Sequence, residues 1–216
     1  MKRYLPFVII AFVLAAAFGA GAYLFRSSQP EAPKSAASPT PTPANPQIAT
    51  APKGVVTLEE FGDYQCPPCG IIHPDVKKLK NEYGDRLRLI FYQFPLTQIH
   101  KNALDASHAA MAARLQNKFW EMHDLLYENQ KLWQDLPDLR PMAAGFAQQL
   151  GLDVDRFKRD MDGPQVNAAV AADMRRGSSL GVTGTPTLFI DGQQIETEKT
   201  TLDGLRKIIN QKLSGR

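Results

Sequence analysis

The residues best suited to do chemistry are Cys66 and Cys69, the two cysteines of a 216-residue chain, set as Cys66-Pro67-Pro68-Cys69. A thiolate attacks a disulfide sulfur to form a mixed disulfide, and a second nearby thiol resolves it. A helix opening at the first cysteine would favour its thiolate, through free N–H groups and the positive end of the helix dipole. The second thiol would sit one turn further in. Cys66 is therefore expected as the exposed nucleophile and Cys69 as the resolving partner. No third cysteine is left for a structural bridge, so a Cys66–Cys69 disulfide would be the whole redox equipment, with no cofactor and no metal. The competing reading makes the pair half of a zinc site completed by a second chain. Pro67 and Pro68 are tolerated in a first helical turn. They withhold two donors from the Cys66 thiolate, leave the Cys69 N–H available, and stiffen the loop. Residues before proline avoid the helical region, which allows a helix start one residue late.

Several elements must position this pair. Val55, Val56, Thr57 and Leu58 are strand formers, which predicts a strand over Gly54 to Phe61 that ends just before the cysteines. Ile72, Val76, Leu79 and Tyr83 recur at helical spacing, which predicts a helix to about Tyr83, with Pro74 inside it and Gly84 as a stop. Leu87, Leu89 and Phe91 alternate with Arg86 and Arg88, predicting a second strand over Arg86 to Tyr92. From about Gln98 to Ser179 the chain is rich in Ala, Leu and Met, with breaks at Pro137, Pro141, Gly151 and Gly163-Pro164, and reads as four or five helices. Thr187 to Ile190 is a strand, Asp191-Gly192 a tight hairpin turn, Gln193 to Glu196 its return, and Thr201 to Leu213 a last helix. The order is βαβ, a helical block, then ββα. It predicts an α/β fold with one sheet covered by helices on both faces and the block set over one end.

The N-terminal part reads differently. Leu5 to Phe25 is almost wholly apolar and uncharged, behind Lys2 and Arg3. About 20 such residues cross a bilayer as a helix, and the leading charges favour a cytoplasmic N-terminus with the rest outside. A cleaved signal peptide is the alternative, since Ala20-Gly21-Ala22 resembles a cleavage site. Prolines 30, 33, 39, 41, 43, 46 and 52, mixed with Ala, Ser and Thr, mark an extended linker. The expected organisation is an anchor or signal over 1–26, a linker over 27–52, and a domain over 53–216 with a helical insert at about 97–180. Net charge is +3, with no dense basic face interleaved with aromatics, so nucleic-acid binding gets little support.

The segment Glu60-Phe61-Gly62-Asp63-Tyr64-Gln65-Cys66-Pro67-Pro68-Cys69 resembles the active-site segment of DsbA-type thioredoxin-fold proteins. Gly181-Val182-Thr183-Gly184-Thr185-Pro186-Thr187 is similar to their cis-proline loop, and Phe94-Pro95-Leu96 and Lys118-Phe119-Trp120-Glu121-Met122-His123-Asp124 to the branch with a helical insert. The resemblance covers about Val55 to Leu213. It implies a thioredoxin fold with an inserted helical subdomain, a cis Pro186 facing the cysteines, and Thr185 presenting backbone to a substrate peptide beside Pro67 and Pro68. It also implies that Glu60 is a buried acid that helps move the Cys69 proton. From the residues alone Glu60 reads first as a surface carboxylate at a strand end, although Val56, Leu58 and Glu60 do share one face. Pro68 departs from the pattern: the most oxidising relatives carry His there, so an intermediate potential is expected.

The implied activity is thiol–disulfide exchange with cysteine-containing exported proteins, on the extracytoplasmic, periplasmic side of a membrane, with a membrane redox partner to reset the pair. Oxidation of substrates is the first choice, reduction or isomerisation the second. A tethered peptide-binding or chaperone module is a separate class of reading. His73, two turns after Cys66, reads as partly exposed and inert. His100 and His108 could share a helix face but lack a third metal ligand. Phe119, Trp120, Met122, Met111 and Met174 read as core of the helical block.

Overall fold

The structure, a computed structural model, describes residue 52 and residues 54–215. The expected membrane segment and all of the linker but Pro52 lie outside the described residues. Among the described residues, no helix is long and apolar enough to cross a membrane.

Strand β1 spans Val56–Gly62, helix α1 Pro67–Tyr83 and strand β2 Leu87–Gln93. Helices α2 Ala103–Arg114, α3 Phe119–Glu128, α4 Gln130–Trp133, α5 Arg140–Gln149, α6 Val154–Met161 and α7 Pro164–Ser179 follow. Strands β3 Thr187–Ile190 and β4 Gln193–Gln194 and helix α8 Leu202–Ser214 close the chain. The sheet order is β2-β1-β3-β4, with β1 parallel to β2 and antiparallel to β3.

β1 is buried along its whole length and sorts its side chains by parity. Val56 and Leu58 join Ile72, Val76 and Leu79 of α1 and Leu205 and Ile209 of α8 in one core. Phe61 faces the other way, into a cluster with Ile90, Tyr92, Phe94, Val182 and Phe189. Helix α7 closes against that cluster at Gly177, where an added Cβ would meet Phe94 at 2.7 Å and Phe61 at 3.0 Å. Any larger residue there would push the helix off the sheet.

Five expectations about the fold need correction. The alternation read over the second strand holds only at its start, because Ile90 to Gln93 are all buried. Ile90 and Tyr92 enter the cluster under α7 while Phe91 enters the core of the helical block, so both faces are covered and the polar–apolar period disappears. The block holds six helices, since α4 is a single extra turn. The hairpin return is only two residues long. Its turn is the expected one, with φ of 50° at Asp191 and 77° at Gly192. Trp120 is 41% exposed, not core, because it borders a surface cavity beside α1. His100 precedes α2, so it shares no helix face with His108.

The block shares its core with the sheet. Cys69, Tyr64 and Phe91 pack with Ala109, Leu126 and Trp133 in one apolar cluster. The insert therefore forms one wall of the cysteine site.

Candidate active site

Cys66 is the N-cap of α1, with an extended backbone at φ −70° and ψ 120°, and Pro67 is the first helical residue. The helix thus opens at the pair with no delay, despite two successive pre-proline positions. The first helical bond runs from the Gly70 N–H to the Cys66 carbonyl, at 3.2 Å. Both thiols are free.

Cys66 is 5% exposed, not the open nucleophile expected from the sequence. The reason lies across the site: the Thr185–Pro186 peptide is cis, and the Thr185 carbonyl accepts a hydrogen bond from Cys66 Sγ at 3.2 Å. The structure brings Cys66, Cys69, Pro67, Pro68, Thr185 and Pro186 together, although 119 residues separate Cys66 from Thr185.

The two thiols differ electrically. Hydrogen bonding from the Cys69 thiol, then from the Thr185 hydroxyl and the Cys69 N–H, lowers the Cys66 pKa to about 6 against the opposing effect of burial. The Thr185 hydroxyl is buried with no other hydrogen-bond partner, so it is available to a thiolate. Burial pushes the Cys69 thiol well up, helped by its hydrogen bond to Cys66 and by the charge of Glu60. One sulfur is ionised near neutral pH and the other holds its proton.

Glu60 lies on the α1 side of β1 and is 2% exposed, with Oε1 lacking a hydrogen-bond partner. Burial, followed by the nearby Cys66 charge, raises its pKa to about 8. The surface-carboxylate reading is thereby overturned, because β1 is an inner strand of a sheet covered on both faces.

Sequence reasoning missed the residues that hold the loop. Asp63 is fully buried. Its Oδ1 accepts from the Gln65 N–H at 2.7 Å, and its Oδ2 from the Leu96 N–H at 2.9 Å. The His100 Nδ1 lies 2.7 Å from Oδ2. Gln130 donates through Nε2 to the carbonyls of Tyr64 (2.7 Å) and Cys66 (2.9 Å). Gln65 donates to the Gln134 carbonyl and accepts from the Asn102 N–H, each at 2.7 Å. These side chains bond to backbone, which carries no residue signature, so no sequence pattern announces them. His73 was expected half-open and is buried, 5% exposed, against His123 and Tyr127.

A thioredoxin family model matches residues 48–211. Among solved structures, a thioredoxin-like oxidoreductase from Silicibacter pomeroyi DSS-3 is 28% identical, with a TM-score of 0.59, over 73% of this chain and 88% of that one. Oxidised BdbD from Bacillus subtilis, at 21% identity, shares the fold with a TM-score of 0.65, over 74% of this chain and 88% of its own. The thiol-disulfide exchange protein alpha-DsbA2 from Wolbachia pipientis does so at 23% identity, with a TM-score of 0.62, over 72% of this chain and 81% of its own. Among curated proteins, the Na(+)/H(+) antiporter NhaA 1 of Salinispora arenicola is 38% identical over 140 residues, covering 64% of this chain and 20% of the antiporter. The chain spans about a fifth of the length of the curated relatives that it matches.

Proposed function

The chain belongs to the thioredoxin family, and from that premise we propose that it is a protein thiol–disulfide oxidoreductase of DsbA type, acting on exported cysteine-containing proteins. The observation that carries the reading is the asymmetry of the pair: Cys66 at the helix start with a pKa of about 6 beside the Thr185 carbonyl, and Cys69 behind it, pushed up by burial.

In the oxidising direction a substrate thiolate attacks Cys66 Sγ of the Cys66–Cys69 disulfide. The S–S bond breaks, and Cys69 leaves with the electron pair. Glu60 keeps its proton to about pH 8 and supplies it to the Cys69 thiolate. A second substrate thiolate then attacks its partner sulfur in the mixed disulfide and expels Cys66 as a stabilised thiolate. The substrate loses two electrons and the enzyme pair gains them. A membrane redox partner takes them back. The edge of Thr185-Pro186, with Pro67 and Pro68 opposite, is where the extended substrate lies.

A low pKa at the leaving thiol favours oxidation of the substrate, which is why oxidation is preferred to reduction. The apolar N-terminal run and the Pro-rich stretch support a domain held outside a membrane. No ion transport is carried over from the antiporter relatives. Their match accounts for a fifth of their length, and a family model of thioredoxin type already covers 48–211 here.

Trapping in cells tests the assignment. Cys66→Ala abolishes exchange, and Cys69→Ala accumulates mixed disulfides through Cys66. Stable substrate adducts through Cys69 in the Cys66→Ala protein would reverse the roles.

A further inference from the structure

A second cluster of ligating side chains lies beside the cysteine loop and takes no part in the exchange chemistry. A cavity of about 350 Å³ is lined by His73 and Lys77 of α1 and by Trp120, His123 and Asp124 of α3. One ligand atom from each of His73, His123 and Asp124 lies within 4.8 Å of the other two. The His73 Nε2 is buried with no hydrogen-bond partner, and it sits 3.5 Å from Asp124 Oδ1. His123 is 3% exposed. Its Nδ1 lies 3.1 Å from the Tyr64 hydroxyl. When Nδ1–H donates to that hydroxyl, Nε2 carries the lone pair, the arrangement in which an outer partner sets the tautomer of a ligating imidazole.

We propose that His73, His123 and Asp124 form a binding site for a divalent transition-metal ion of the zinc type, with a fourth position open to the cavity. Two imidazoles and one carboxylate suit zinc, whereas magnesium and calcium favour all-oxygen sets. Tetrahedral bonds of about 2.0–2.2 Å place ligand atoms about 3.3 Å apart. The 3.5 Å His73–Asp124 spacing already fits, and the His123 ligand atom lies within 4.8 Å of the other two.

Lys77, Lys80 and Arg88 also line the cavity, and both lysines are already partnered. The Lys77 Nζ pairs with Asp124 Oδ2 at 2.7 Å and Glu128 Oε1 at 2.8 Å. Lys80 donates to the carbonyls of Gly84 and Leu87. Without an ion Lys77 neutralises Asp124, and an arriving ion would displace it from Asp124 while Lys77 kept Glu128.

The expectation of no metal weighed only His100, His108 and the Cys66–Cys69 pair. The fold pairs different histidines, far apart in sequence, across α1 and α3. His73 lies four residues after Cys69, and His123 is held by Tyr64, two residues before Cys66. A bound ion would staple the helical insert to the helix that carries the cysteines.

The test uses the full chain with the Cys66–Cys69 disulfide closed, so that no thiolate competes. Zn²⁺ titration by calorimetry should show one ion per chain, and Co²⁺ should give tetrahedral visible bands without sulfur charge transfer. His73→Gln and Asp124→Asn should each weaken Zn²⁺ binding at least about tenfold, and Tyr64→Phe, which removes the outer partner, also by about tenfold. Asp124 is 31% exposed, so its variant keeps the fold even where a buried histidine change does not. Absence of stoichiometric Zn²⁺ binding by the oxidised protein would overturn the proposal. So would binding confined to the reduced protein, or binding that both variants leave intact.

Discussion

Glu59 and Glu60 are neighbours on one strand, each 2% exposed, yet they live in opposite surroundings. Glu59 points toward α7, where Arg176 Nη2 meets its Oε2 at 3.0 Å, and the same guanidinium lies 4.9 Å over the Tyr92 ring. Glu60 points to the α1 side and forms no ion pair among the described residues. Its cross-strand neighbours are Phe91 and Leu188, and its Oε1 has no hydrogen-bond partner. A buried carboxylate that meets a cation ties two elements together through the pair. One without a cation keeps a proton that it can give away. The two-residue period of β1 thus separates a structural acid from a chemical one.

The largest expected effect sets these two acids against each other. Folded, Glu60 binds its proton up to about pH 8; unfolded, it releases it near 4.5. Folding therefore takes up a proton in that window, and stability falls as pH rises through it. Glu60→Gln mimics the protonated acid and should stabilise the reduced protein by on the order of 3 kcal/mol at pH 7, flattening its pH dependence between 4.5 and 8. Glu59→Gln should do the reverse and cost about 2 kcal/mol, less than a fully buried pair because Arg176 keeps some water. Urea unfolding at pH 5, 7 and 8 reads both, and a loss of stability in both variants would erase the distinction. In turnover the ranking inverts: Glu60→Gln slows exchange and Glu59→Gln does not.

A smaller effect concerns the charge that the Glu60 side must accommodate. Pro68→His places a cation donor in the first turn of α1 and should lower the Cys66 pKa by about one unit, which corresponds to about 30 mV toward a more oxidising potential. Equilibration of both proteins with glutathione measures it, and a potential equal to or more negative than the parent's would contradict the argument. The smallest change is Thr185→Val. Removing the hydroxyl that faces the thiolate should raise the Cys66 pKa by about half a unit, read from thiolate absorbance against pH. Thr185→Ser should restore the parent value, since it keeps the donor.

How much of this was readable from residue order follows from the range of the interactions. The strand before the cysteines, the helix to Tyr83, the Asp191-Gly192 turn and the helical character of the insert all rest on local propensity and period, and the structure keeps them within a residue or two. The Cys66-Pro67-Pro68-Cys69 spacing, with the helical period of Ile72, Val76, Leu79 and Tyr83 behind it, pointed to a dithiol at a helix start, because both signals are local. The burial of Cys66 was not readable, since its cover comes from Thr185, on a loop far along the chain. Nor was the contrast between Glu59 and Glu60. Both are the same residue type, and only the packing of α7 on one face and α1 on the other gives one acid an arginine and denies it to its neighbour. The clamp from Gln130 and the pairing of His73 with His123 belong to the same class. Sequence sets what a side chain can do, but its protonation state and its partners depend on which distant groups share its low-dielectric surroundings, and the tertiary structure alone decides that.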